Sequence, residues 1–115
     1  MNAIVQPPAR SPQCVPGGGD TVTANVYFEF QVAKIAVARD RSLMGSGNHS
    51  VLVNFVVDTG GVPQDGTVAP VFVADSVGAR RARAVVSHLR FTPAEVAGCR
   101  VRQLVQEFVR LPLGE

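Results

Sequence analysis

The side chains able to do chemistry in this chain are few and scattered: Cys14, Cys99, His49, His88, Asp58, Asp65 and the arginines Arg80, Arg81 and Arg83. A thiol becomes a nucleophile beside a basic group, and no basic partner such as His adjoins Cys99 in sequence. Asp58 and Asp65 flank a Gly-containing stretch without the regular spacing of a calcium loop, so turn formation accounts for them. Gly60 and Gly61 lack the Lys-Ser/Thr and following helix of a phosphate-binding loop. Two cysteines lack metal-site spacing, and a single bridge between them is open only in an oxidising compartment. The three arginines offer either an anion patch or a solvated helix face. The second reading is preferred, because they have no interleaved aromatics and sit near the positive end of a helix dipole. His88 suits the C-terminal end of that helix, and His49 lies in a polar loop. These residues assemble no catalytic set, so the expectation is a protein that is not an enzyme, with no cofactor and no metal.

Composition narrows the class further. A length of 115 residues is the size of one domain. Apolar residues make up 46% of the chain and charged ones 17%, and mean hydropathy is +0.18. A wholly disordered chain would be less apolar and more highly charged. The apolar runs fall far short of the ~20 residues that cross a bilayer, and no export signal is expected in the sequence as given. The net charge of +2 is too small to imply nucleic acid. It is uneven, however: residues 1–76 carry four basic and six acidic side chains, and residues 77–115 carry seven and three.

The elements that must position these groups follow from periodicity. Residues 1–20 hold four prolines and a triple glycine, and read as a mobile tail. The domain proper is expected over 21–115. Residues 22–32 alternate apolar and polar, which predicts a half-buried strand. Residues 39–50 read as a loop. A strand is predicted over 51–58, then a tight turn at 59–61. A second strand follows over 66–73, where Pro70 removes a ladder donor and marks an edge or a bulge. Asp75 or Ser76 can cap a helix reaching His88, with Ala82, Val85, Val86 and Leu89 on one apolar stripe. Residues 91–94 are extended, 97–99 turn, and 100–111 alternate as a last strand. Phe55, Phe72, Phe91 and Phe108 are core candidates. The fold class is α+β: a small antiparallel sheet of three to four strands with one main helix packed on one face.

These residues resemble the C-terminal domain of TonB-type energy transducers. The likeness rests on Val-Leu-Val-Asn-Phe-Val-Val-Asp-Thr-Gly-Gly-Val at 51–62, the amphipathic helix around 77–89 and Arg-Phe-Thr-Pro-Ala at 90–94. Val-Arg-Gln-Leu-Val-Gln-Glu-Phe-Val at 101–109 and Val-Tyr-Phe-Glu-Phe-Gln-Val at 26–32 complete it, about two thirds of the chain in all. Three features depart from the family. The sequence as given holds no membrane anchor and no long Pro-rich linker, and a polar loop over 42–50 replaces a short helix with a Tyr-Pro pair.

The resemblance implies a periplasmic domain of the Gram-negative cell envelope, linked to energy-dependent transmembrane transport. It implies protein binding by strand addition, in which a peptide of an outer-membrane receptor pairs with an exposed edge. Carried onto this sequence, the edge is the last strand, with Val101, Arg102, Gln103, Leu104, Val105, Gln106, Val109 and Arg110 as partner-binding residues. The alternative is a structural self-association module, a homodimer joined through exposed edges that include residues 22–32.

Overall fold

The structure, a computed structural model, describes residues 11–15, 18–19, 25–71 and 76–112. It is a mixed α+β fold with β1 (Val37–Ala38), β2 (His49–Val57), β3 (Ala69–Val71), α1 (Ser76–His88), β4 (Phe91–Thr92), β5 (Ala94–Val96), β6 (Cys99–Val101) and β7 (Gln103–Leu111). The main sheet is antiparallel in the order β3-β2-β7, and β1-β4 and β5-β6 form two small antiparallel pairs.

Period-two patterning builds the sheet as expected. Val51, Val53, Phe55 and Val57 of β2 share a buried face with Val105, Val109 and Leu111 of β7. Helix α1 closes that face with Ala82 and Val86, joined by Leu89 just past its end, all essentially inaccessible. Three of the four residues of the expected stripe are therefore buried and Val85 is partly covered against them, while the expected capping residue falls outside the described side chains. Phe55 and Phe91 meet inside this core with ring centroids 5.7 Å apart. Each such side chain contributes roughly 1.5–3 kcal/mol by leaving water.

The β2–β3 turn is built by Asp58, whose Oδ1 accepts from the N–H groups of Gly60 (2.8 Å) and Val62 (3.0 Å). Gly61 adopts φ +82°, and a Cβ there would collide with the carbonyl of Phe91. The Phe91 N–H donates to Gly61 O at 2.8 Å, which docks the turn onto β4. His88 lies exposed in the last turn of the helix, as expected, and at that end Arg90 donates to Ser87 O (3.0 Å) and to Leu89 O (2.6 Å).

Four expectations are corrected. Over the described part of 22–32 there is no continuous strand. Tyr27 makes one parallel bridge to Gln103, and a 3-10 turn follows at Glu29–Gln31. The buried residue there is Tyr27, while Phe30 is exposed. Alternation set up a strand, but only a single bridge pairs with it, and the Gln31 side chain accepts from Phe28 N–H to cap the turn instead. The last strand is split at Arg102, where the chain passes from pairing with β5 to pairing with β2. The loop predicted over 39–50 contains a 3-10 turn at Arg41–Leu43, and β2 begins two residues early, at His49. Phe108 is not core: it points to the opposite face of the sheet and is 60% exposed. Phe72 lies outside the described residues.

The described part of the N-terminal tail is tied down, also against expectation. A disulfide joins Cys14 to Cys99 with Cα atoms 6.1 Å apart. Just beyond it, Gly18 O accepts from Arg100 N–H at 2.8 Å, along the outer side of β6.

Candidate functional site at a sheet edge

Hydrogen-bond parity decides which backbone groups the main sheet leaves open. In an antiparallel ladder, residues alternate between bonding the neighbouring strand and pointing away from it. The Leu104 N–H donates outward to Tyr27 O (2.9 Å), and the Arg110 N–H donates outward to Met44 O (2.9 Å). The same parity turns the N–H and C=O of Gln106 and Phe108 away from β2. Parity on β2 agrees, since Val56 N–H and C=O bond the β3 side through Thr67 and Gln64.

The other edge is closed by chemistry. Strand β3 has three residues, and Pro70 stands opposite Val53. Val53 bonds toward β7, so the Pro70 nitrogen faces outward, where a strand would need a donor. Pro70 therefore costs the ladder no bond, a correction to the donor loss expected from sequence, and it blunts the edge. The β5–β6 hairpin is flanked on both sides, by Ala33 and Lys34 bonding Glu95 and by Gly18 bonding Arg100.

Among the described residues, the stretch of β7 between Leu104 and Arg110 is thus the sheet's receptive edge. It is bounded rather than continuous. Tyr27 closes one end through Arg102 O and Leu104 N–H, and Met44 closes the other. Gly45, at φ +94°, packs so tightly on the Arg110 carbonyl that no Cβ fits. Between these points the chain arches away from β7 to pair with β5 and β4. The space beneath the arch is a groove of about 290 Å³ between residues 103–107 and residues 35–38.

Two contacts hold the arch over the groove. Gln103 is 3% exposed, and its Oε1 accepts from Ala36 N–H at 2.8 Å, so its buried amide oxygen is satisfied. Arg41 Nη2 reaches Glu107 Oε1 at 3.2 Å. Arg41 starts a 3-10 turn capped by Asp40, whose carboxyl the Ser42 hydroxyl and N–H hold below the usual carboxylate range. Glu29 lines the other end of the groove.

The eight residues carried over by resemblance do not act alike. Val101 lies in β6 and is buried with Val105 and Val109 in the core. Arg102 is occupied inside the chain, donating to Asn25 O (3.1 Å) and Gln64 Oε1 (3.3 Å). Gln103 holds the arch. Leu104, Gln106 and Arg110 lie on the outer face, where Gln106 Nε2 donates to Asn54 Oδ1 at 2.8 Å and Arg110 Nε to Gly47 O at 3.2 Å. Sequence reasoning does not bring Phe108, Arg41 and Glu29 to this candidate edge, where the structure places them. Strand parity alone would have placed Phe108 beside Gln106, but nothing local brings Arg41 and Glu29 to β7.

The helix arginines Arg80, Arg81 and Arg83 are exposed, and Arg81 donates to Pro112 O at 3.0 Å. Among the described residues no three His, Cys, Asp or Glu side chains come together as metal ligands, and no helix is long and apolar enough to cross a membrane. Comparison with protein-family models, curated proteins and solved structures returns no match to this chain.

Proposed function

We propose that this domain binds a protein partner by strand addition, capturing a short extended peptide on β7 between Leu104 and Arg110. The observation that carries the reading is the pair of outward-facing backbone units at Gln106 and Phe108, beside a groove and bounded by closed ends. Two antiparallel units present two donors and two acceptors, which supply register and affinity without any particular side chain. The stretch from 104 to 110 is about 20 Å at ~3.3 Å per residue, enough for a peptide of about five residues.

The resemblance to TonB-type C-terminal domains supports a peptide of an outer-membrane receptor as the partner, within energy-dependent transport. The Cys14–Cys99 disulfide supports an oxidising compartment such as the periplasm. The proposed role involves no catalysis. Receptor-type box peptides titrated into isotope-labelled protein should shift the amides of Gln106 and Phe108 first. Shifts confined to α1, or none, would remove this function. Self-association draws less support, because the described part of residues 22–32 offers no strand to pair. A sedimentation coefficient that rises with protein concentration would restore it.

A further inference from the structure

The outer face of the sheet carries a row that stops abruptly. Val71, Leu52 and Phe108 stand directly opposite one another across β3, β2 and β7. Leu52 and Val71 are partly covered, whereas Phe108 at the end is 60% exposed. The adjacent row, Ala69, Asn54 and Gln106, is bridged by the Asn54–Gln106 side-chain hydrogen bond and needs no further partner. A strand added to β7 would place one residue opposite Phe108 and complete the apolar row, since cross-strand neighbours on one face are the unit of sheet stabilisation.

Charge distinguishes the groove side. Its ionised lining is Glu29, Arg41 and Glu107, and Arg41 is paired with Glu107. Glu29 is exposed and makes no ion pair among the described residues, so it is the unbalanced charge. In an added strand the residue opposite Val105 faces the groove at that end. It lies three positions from the residue opposite Phe108.

Resting on strand addition at β7, we infer that the ligand is an extended segment of the form apolar-x-x-basic, running antiparallel to β7. Its branched or aromatic residue packs on Phe108 and its Lys or Arg pairs with Glu29. Antiparallel pairing is the more stable sense per residue. The row contributes most of the selectivity, and the exposed ion pair acts mainly on orientation and rate.

The probe is acetyl-Thr-Val-Thr-Thr-Lys-amide, titrated by NMR into wild-type, Phe108→Ser and Glu29→Gln proteins. Both sites are exposed, and circular dichroism checks that each variant is folded. Replacing the peptide Val by Ser should weaken binding about three- to fivefold in wild type, and hardly at all in Phe108→Ser. Replacing its Lys by Gln should cost about twofold, a difference that disappears in Glu29→Gln and in high salt. Shifts at Gln106 and Phe108 with equal peptide effects in all three proteins would overturn the inference and leave strand addition standing. No shift at either amide would overturn both.

Discussion

The side-chain oxygen of Gln103 accepts the backbone N–H of Ala36 at 2.8 Å, joining β7 to a segment 67 residues away in sequence. This bond spans the groove that borders the receptive edge, so Gln103 shapes the site without lying on its open side.

Gln103→Leu keeps the volume but leaves the Ala36 N–H without its acceptor. An unsatisfied buried donor costs about 1–3 kcal/mol. Urea denaturation should show a loss in that range, accompanied by amide shift changes at residues 35–38. An unchanged midpoint would mean that water replaces the Gln103 oxygen at no cost.

The Cys14–Cys99 bridge closes a loop with a sequence separation of 85. Loop-closure entropy assigns such a crosslink on the order of 4 kcal/mol, with measured values commonly 2–4. Cys14→Ser, or reduction of the wild type, should lower stability by about 2–4 kcal/mol and release the Gly18–Arg100 contact. Equal unfolding midpoints with and without reductant would show that the bridge does not constrain the chain.

Ala97 and Gly98 both have positive φ, 53° and 79°, in the two-residue turn joining β5 to β6. Such a turn is the I′ type, which favours Gly or Asn at both central positions. Ala97→Gly removes a left-handed Cβ cost of roughly 1–2 kcal/mol, partly offset by the greater freedom glycine loses on folding. A net gain of about 0.5–1 kcal/mol should appear as a higher Tm, and a loss would place the turn in another conformation.

Gly61→Ala tests the docking of the β2–β3 turn. The new Cβ would meet the Phe91 carbonyl in a backbone conformation unfavourable to L-residues. Destabilisation of about 2 kcal/mol or more is expected, because both strain and a steric clash act on one buried turn. A near-neutral result by thermal melt would show that β4 moves away without penalty.

Strands β2 and β7 and helix α1 were legible in the sequence because their patterns hold over many residues and one face of each meets the same core. Tyr27 shows where that logic ends. Its neighbours have the better alternation, yet Tyr27 is buried, because pairing depends on where Gln103 lies in space. Pro70 signals an edge or a bulge, and the structure has the edge, but which way its nitrogen faces depends on register with Val53. Resemblance pointed to the last strand as a candidate edge, and the bounded extent of the open stretch on β7 was not legible. The closures at Tyr27 and Met44 come from segments whose sequence says nothing of their partners. Local composition makes Cys14 part of a loose tail and cannot reveal a bridge across most of the chain.

The most direct test is amide hydrogen exchange along β7 in dilute protein with the disulfide intact. An open edge predicts alternation: slow exchange at Val105, Glu107 and Val109, which bond β2, and fast exchange at Gln106 and Phe108, with both fast sites slowed by an added peptide strand. Protection at Gln106 and Phe108 equal to that of their neighbours in the free monomer would contradict it, because the edge would already be filled.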